Sequence, residues 1–158
     1  MPVPHIFMLR DLQARLEAEP EVWRPLVLTN GCFDLLHSGH VHYLGEAKAL
    51  GRTLVVGLNS DASVRRLKGP SRPLNSQTER SEVLAALRAV DAVVIFEEPT
   101  AVDLVLALRP DIYVKGGDYS LASLPESGAV TQSGGHTVLI PFVRQVSTTN
   151  LIERIRSL

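Results

Sequence analysis

Five short apolar runs, rich in β-branched residues and separated by segments of helical spacing, set the strongest limit on how this 158-residue chain can fold. Leu26-Val27-Leu28-Thr29, Thr53 to Leu58, Ala92 to Phe96, Asp111 to Val114 and Thr137 to Ile140 are apolar on successive residues rather than on alternate ones. Continuous apolarity marks strands covered on both faces, as in parallel sheets. Helical patterns fall between and after these runs, at roughly 40–50, 61–67, 77–89, 100–108 and 148–157. Strands that alternate with helices form βαβ units. The expected architecture is α/β, a single doubly wound Rossmann-like domain with a five-stranded parallel sheet.

The helix at 77 carries a start signal. Ser76 is followed three residues later by Glu79, the capping-box spacing, and then by Val83, Leu84, Leu87 and Val90 at helical intervals. Residues 8–19 read as a leading amphipathic helix whose apolar positions Leu9, Leu12 and Leu16 could cover the sheet or a partner subunit. No internal repeat, low-complexity tract or linker interrupts the pattern. Residues 1–158 therefore read as one domain, with 1–22 as leading helix and extension and 23–158 as the catalytic core.

The 45% apolar content is ample for one core at this length. Sixteen basic and seventeen acidic residues give a net charge of −1, which implies no broad cationic field for nucleic acid or an anionic membrane. Cys32 is the sole cysteine, so an internal disulfide and a cysteine-built zinc site are both excluded. The first ten residues contain Pro2, Pro4 and His5 and lack a signal-peptide pattern, and no apolar run reaches the ~18 residues of a membrane span. A cytoplasmic location is expected.

Chemistry concentrates between the first run and the next helix, in Thr29-Asn30-Gly31-Cys32-Phe33-Asp34-Leu35-Leu36-His37-Ser38-Gly39-His40. Ligands bind at the carboxyl ends of strands in open parallel sheets. Gly31 permits close approach of a phosphate to the backbone, and Gly39 does so at a helix start, where free N–H groups and the dipole favour an anion. His37 and His40 are three apart, so their rings fall on one side of that helix. Two imidazoles there can donate to phosphate oxygens and stabilise charge developing on an α-phosphate. A lone histidine would serve as a cap or a solvated surface group; a pair flanking Ser-Gly at a strand end points to a phosphate site.

His37-Ser38-Gly39-His40 matches the HxGH signature of the cytidylyltransferase-like nucleotidyltransferases, and the string from Thr29 to Leu44 resembles their heptose 1-phosphate adenylyltransferase branch. The resemblance runs from about residue 20 to the end and includes Leu124-Pro125-Glu126 and Gly134-Gly135. Lys68-Gly69-Pro70-Ser71-Arg72-Pro73 is a stiff loop able to hold two cations over an anion, and Arg80 lies in a first helical turn, where a cation is locally unfavourable and hints at a nearby anion. In the resembled branch such residues approach the phosphates. Asn59-Ser60-Asp61 follows the second strand, where Asp61 reads equally as a cap or a ligand contact. Val114-Lys115-Gly116-Gly117-Asp118-Tyr119 matches a signature of that branch and makes Asp118 a candidate for substrate hydroxyls or for magnesium, with the two roles unseparated. Ser147-Thr148-Thr149 suits both capping and a phosphate cradle, and in the family this segment contacts the triphosphate. Some relatives carry an arginine-threonine pair five residues before that serine. Here Phe142 stands there and Arg144 is nearer, so Arg144 is not assigned.

The residues and the resemblance together assign catalysis to His37, His40, Lys68 and Arg80. Nucleotide and phosphate binding fall to Thr29, Asn30, Gly31, Cys32, Phe33, Gly39, Lys115, Gly116, Ser147, Thr148 and Thr149. Asp34, Asn59, Asp61, Arg72 and Asp118 are assigned to the substrate. The resemblance implies transfer of AMP from ATP, with Mg2+, to a heptose 1-phosphate, giving ADP-heptose and pyrophosphate for lipopolysaccharide or another surface glycan. It also implies a homodimer and a separate sugar kinase acting upstream. The rival expectations are a cytidylyltransferase for glycerol 3-phosphate or a similar phospho-alcohol, pantetheine-phosphate adenylyl transfer, and an inactive nucleotide-binding regulator.

Overall fold

Each central strand feeds two cores through alternate side chains. In the computed structural model, which describes residues 5–117, 119–141 and 146–158, Leu26 and Leu28 pack into one cluster and Val27 into the other. The same division holds for Val55 against Leu54 and Val56, and for Tyr113 against Val114. This is the period of two expected of a pleated strand, with both faces buried.

The sheet is wholly parallel and has six strands, not the expected five: β1 (Ile6–Phe7), β2 (Leu26–Gly31), β3 (Thr53–Asn59), β4 (Ala92–Phe96), β5 (Ile112–Gly116) and β6 (His136–Ile140), in the order β1-β4-β3-β2-β5-β6. The extra strand is a two-residue edge that pairs Ile6 with Val93 and Phe7 with Val94. Two residues are too few to show a hydrophobic period, so the sequence gives no signal for it.

The leading helix α1 (Leu9–Ala18) continues through a short α2 (Pro20–Trp23) and lays Leu12 and Leu16 on the protein's own sheet. With α6 (Val102–Leu108) and α7 (Ser127–Gln132) it covers one face. On the other face lie α3 (Ser38–Ala49) and α5 (Gln77–Ala85), which bury Leu44, Ala47 and Leu84. Helices α4 (Asp61–Lys68) and α8 (Thr148–Arg156) complete the order. The expected capping box at α5 forms, with Ser76 N–H donating to Glu79 Oε2 at 3.0 Å and Glu79 N–H to Ser76 Oγ at 3.3 Å. No helix of the described residues is long and apolar enough to cross a membrane.

Strand order places the site. From β2 the chain winds outward through β3 to β4, then crosses to β5 on the opposite side of β2. The carboxyl ends of β2 and β5 therefore flank the switch point, where loops diverge and leave a crevice.

Candidate active site

A cleft of about 880 Å³ opens at this switch point. Residues following β2, β3, β4, β5 and β6 line it together, and its size suits a nucleotide-scale ligand.

The β2–α3 turn explains the spacing of its two histidines. His37 is the N-cap of α3, and its Nδ1 accepts the Gly39 N–H at 3.1 Å. His40, one turn on, returns Nδ1 to accept the N–H of His37 at 3.3 Å. The ring centroids stand 3.9 Å apart. With each Nδ1 accepting from backbone, the proton of each neutral ring sits on Nε2. Burial lowers the pKa of His37 and, helped by the neighbouring His37, takes His40 down to about 4. The cleft thus holds two neutral imidazoles with N–H donors, at a helix start whose dipole favours an anion. Capping and phosphate binding use opposite nitrogens of the same ring, so one role does not exclude the other.

Both flanking glycines sit tight against an aromatic ring. A Cβ at Gly39 would lie 2.9 Å from the His37 ring, and one at Gly31 would lie 3.0 Å from the ring of Phe33. Phe33 adopts φ 44°, a left-handed conformation uncommon outside glycine. That bend turns its ring towards His40, with centroids 5.4 Å apart.

A second helix start faces the cleft from beyond β6. Ser147 caps α8 by accepting the Asn150 N–H at 3.1 Å, and Thr148 Oγ1 donates to the Leu35 carbonyl at 3.0 Å, tying α8 to the β2–α3 turn. Ser147, Thr148 and Thr149 all line the cleft. Lys68 enters from the exposed end of α4. Lys115, on β5, lies 3.5 Å from the Asn30 carbonyl, and burial lowers its pKa. An arriving anion would favour its charged form. Burial likewise pushes the Cys32 thiol up, against the lowering pull of Lys68, Arg80 and Lys115.

Asn30, Gly31, Cys32, Phe33, Asp34, Asn59, Arg72 and Gly116 also line the cleft. Several of them are already engaged. Asp34 accepts from the N–H groups of Leu74 and Asn75, and its Oδ2 lies 3.1 Å from Arg72 Nε, so it latches the loop at 70–75 to the end of β2. The Asn30 side-chain oxygen accepts from the Tyr113 hydroxyl, which leaves its amide N–H groups for other partners.

Three assigned residues stand behind the cleft rather than in its wall. Thr29 is fully buried and donates to the Val114 carbonyl at 2.9 Å while pairing with the Tyr43 hydroxyl. Arg80 is a buried clamp. Its guanidinium donates to the carbonyls of Asn75, Cys32 and Asn59 at 3.0, 2.7 and 2.9 Å, and to Asp61 Oδ1 at 2.8 Å. Asp61 is that clamp's counter-ion, and the cap of α4 is Ser60 instead, accepting from Ser63 N–H at 3.1 Å. The anion hinted at by a cation in the first turn of α5 is therefore the protein's own carboxylate. Asp118 lies outside the described residues, as do Phe142 and Arg144.

The model of the cytidylyltransferase-like family matches residues 28–157, from within β2 to the end of α8. This chain belongs to the cytidylyltransferase-like family. It is 56% identical over 147 residues to the bifunctional protein HldE of Syntrophotalea carbinolica, covering 93% of this chain and 29% of that protein. It is 54% identical over 140 residues to the bifunctional protein HldE of Trichlorobacter lovleyi, covering 89% and 28% respectively. The chain thus spans less than a third of the length of these relatives. Among solved structures it resembles a lipopolysaccharide core biosynthesis protein of Thermoplasma volcanium, with a TM-score of 0.62, 30% identity, and 76% of this chain and 97% of that chain covered.

The structure adds to this family site a wall that the sequence reading did not assign. Pro99 and Thr100 after β4, and Leu124, Pro125 and Glu126 after β5, close the cleft on the side away from α3. They were hidden because Thr100 lacks a motif and Glu126 finds its partner, Ala101, 25 residues away. Only the Leu-Pro-Glu resemblance touched this segment.

Proposed function

We propose that this chain transfers AMP from ATP to a heptose 1-phosphate, releasing pyrophosphate and yielding ADP-heptose for a lipopolysaccharide or related surface glycan. One observation carries the reading: His37 and His40 both bind backbone through Nδ1, which commits both Nε2–H groups as donors beside the start of α3. Support for the particular sugar comes from the resemblance of the Thr29–Leu44 and Val114–Tyr119 strings to the heptose 1-phosphate branch. The likeness to the HldE proteins and to a protein named for lipopolysaccharide core biosynthesis agrees with it.

In this mechanism the triphosphate lies across the starts of α3 and α8. A phosphate oxygen of the sugar 1-phosphate attacks the α-phosphorus in line, the bond to the β-phosphate oxygen breaks, and pyrophosphate departs. The attacking oxygen is already ionised at neutral pH, so no general base is needed. His37, His40 and Lys68 stabilise charge on the phosphates, and Lys115 with the positive ends of α3 and α8 positions them. Arg80 acts by holding the ends of β2 and β3 in place. The donors at the phosphate end are N–H and ammonium groups, which fits a magnesium ion carried by the triphosphate and water. Held there, such an ion would supply charge neutralisation to the leaving pyrophosphate. The sugar 1-phosphate is the product of a kinase-class reaction, and a homodimer is the expected assembly.

The test is a matrix of nucleoside triphosphates against sugar 1-phosphates and phospho-alcohols, scored for pyrophosphate. ATP with a heptose 1-phosphate should give the highest kcat/KM. CTP with glycerol 3-phosphate giving the highest value would replace this reading with a cytidylyltransferase, and ATP with pantetheine phosphate would replace it with pantetheine-phosphate adenylyl transfer. Silence across the matrix would leave a nucleotide-binding regulator.

A further inference from the structure

Tyr113 is fully buried behind the cleft wall, and its hydroxyl donates to the Asn30 side-chain oxygen. Strand register brings the two together. Tyr113 on β5 pairs with Leu28 on β2, and both pack into the same core cluster. Asn30, two residues beyond Leu28, projects on that face at the carboxyl end of β2, where it lines the cleft. On its other side, Gly57 of β3 leaves the space it needs: a Cβ there would lie 2.5 Å from Leu104 and 3.3 Å from the Asn30 Cβ. The amide is thus flanked on both sides, and one choice is left: which of its two ends meets the ligand.

Tyr113 makes that choice. A side-chain amide presents an acceptor at one end and two donors at the other. Turned end for end, it would take from the Tyr113 proton the acceptor it now has, in a place that water does not reach. Burial raises the Tyr113 pKa, so that proton is retained at neutral pH. The amide oxygen therefore stays on Tyr113, and Nδ2 is left for the cleft without an acceptor among the described residues. Lys115 Nζ stands beside it, 3.5 Å from the Asn30 carbonyl. An ammonium and an amide N–H2 side by side offer donors only, which suits a phosphate oxygen.

Resting on the phosphate-site reading above, we infer that Tyr113 is a positioning residue whose hydroxyl fixes Asn30 with Nδ2 towards a phosphate oxygen shared with Lys115. Tyr113 touches no substrate and acts through Asn30 alone.

The test uses the full chain, ATP and the sugar 1-phosphate that the wild type turns over best. Tyr113→Phe keeps the ring and deletes the donor. Its kcat/KM should fall roughly tenfold, the scale of a buried acceptor left without its partner. A double-mutant cycle with Asn30→Ala separates positioning from packing, because Tyr113→Phe should cost nothing further once the amide is gone. A phenol that only supported the fold would cost the same in both backgrounds. The individual constants show whose phosphate is held: a higher KM for ATP assigns the oxygen to the nucleotide, and a higher KM for the sugar phosphate alone assigns it to the second substrate. A fall confined to kcat assigns it to the phosphate under attack. If Asn30→Ala melts early, side-chain amide NMR gives a second reading. The Asn30 N–H2 signals, identified by their loss in Asn30→Asp, should move when a non-hydrolysable ATP analogue or the sugar 1-phosphate binds, and should move less in Tyr113→Phe. An undiminished kcat/KM, an equal loss in both backgrounds, or amide signals unmoved by either substrate overturns the inference and leaves the proposed function standing. A wild type silent with every sugar 1-phosphate overturns the proposed function, and the NMR reading with the ATP analogue still decides the inference.

Discussion

The Arg80 guanidinium donates to the Cys32 carbonyl at 2.7 Å, fastening the residue after β2 to a helix 48 positions further along the chain. The neighbouring residue, Phe33, holds the left-handed bend that sets its ring against His40. Arg80 thereby reaches the phosphate site through the backbone. Arg80→Met leaves three carbonyls, that of Asn59 buried, and Asp61 without their donor. Urea unfolding should show a loss of about 3–5 kcal/mol. Arg80→Lys keeps the charge but lacks the planar fork, and should recover only part of that loss. A variant as stable as the wild type would contradict the clamp.

Gly39→Ala sets helix propensity against contact. Alanine is favoured over glycine inside a helix by roughly 1 kcal/mol, but its Cβ would meet the His37 ring at 2.9 Å. The ring is the softer partner and should shift. Melting should therefore change little while turnover falls by roughly a hundredfold, the scale of a 1 Å misplacement of a catalytic group. Pyrophosphate release at matched folded fraction checks this.

The histidine pair makes stability depend on acid. The His40 pKa falls from 6.5 to about 4 on folding, mainly through burial. Above pH 6.5 the ring is neutral in both states and its contribution is full. Between about pH 6.5 and 4 the unfolded chain binds a proton that the folded chain refuses, so stability declines as pH falls. His37, also lowered by burial, acts in the same direction. Urea midpoints between pH 7 and 4 should drop less steeply in His40→Asn, whose amide oxygen can still accept the His37 N–H. An identical slope would contradict the assignment.

Lys68 is exposed and, among the described residues, has no structural duty comparable to that of Arg80. Lys68→Ala should leave stability within about 0.5 kcal/mol of the wild type. Turnover should drop by roughly a hundredfold, as on removal of one charge-stabilising donor. Full activity in the variant would remove Lys68 from the reaction.

Strands β2 to β6 and most helices were legible because both faces of the sheet are covered, which makes apolar runs continuous, and because helical spacing or a cap marks what lies between. The HxGH turn was legible for a related reason: His37, Gly39 and His40 make contacts within four residues of one another. What depended on distant partners was not. β1 exists only through Val93 and Val94 on another strand. Helix α7 spells Ser-Gly-Ala-Val-Thr-Gln, with no apolar stripe beyond Ala129 and Val130. Helix α5 stops at Ala85, before the expected 89, where Leu87 and Val90 close turns onto the sheet. Arg80 showed the limit most clearly. Its unfavourable place pointed correctly to an anion, but only the fold could show that the anion is Asp61.

The central claim is that His37 and His40 aim protonated Nε2 atoms at one phosphate-binding pocket. Long-range 1H–15N NMR of the histidine side chains at pH 7, with and without a non-hydrolysable ATP analogue, reads this directly. Both rings should be neutral Nε2–H tautomers in the free protein, and both Nε2–H signals should move when the analogue binds. A proton on Nδ1 of either ring, or signals unmoved at saturating nucleotide, would contradict the account.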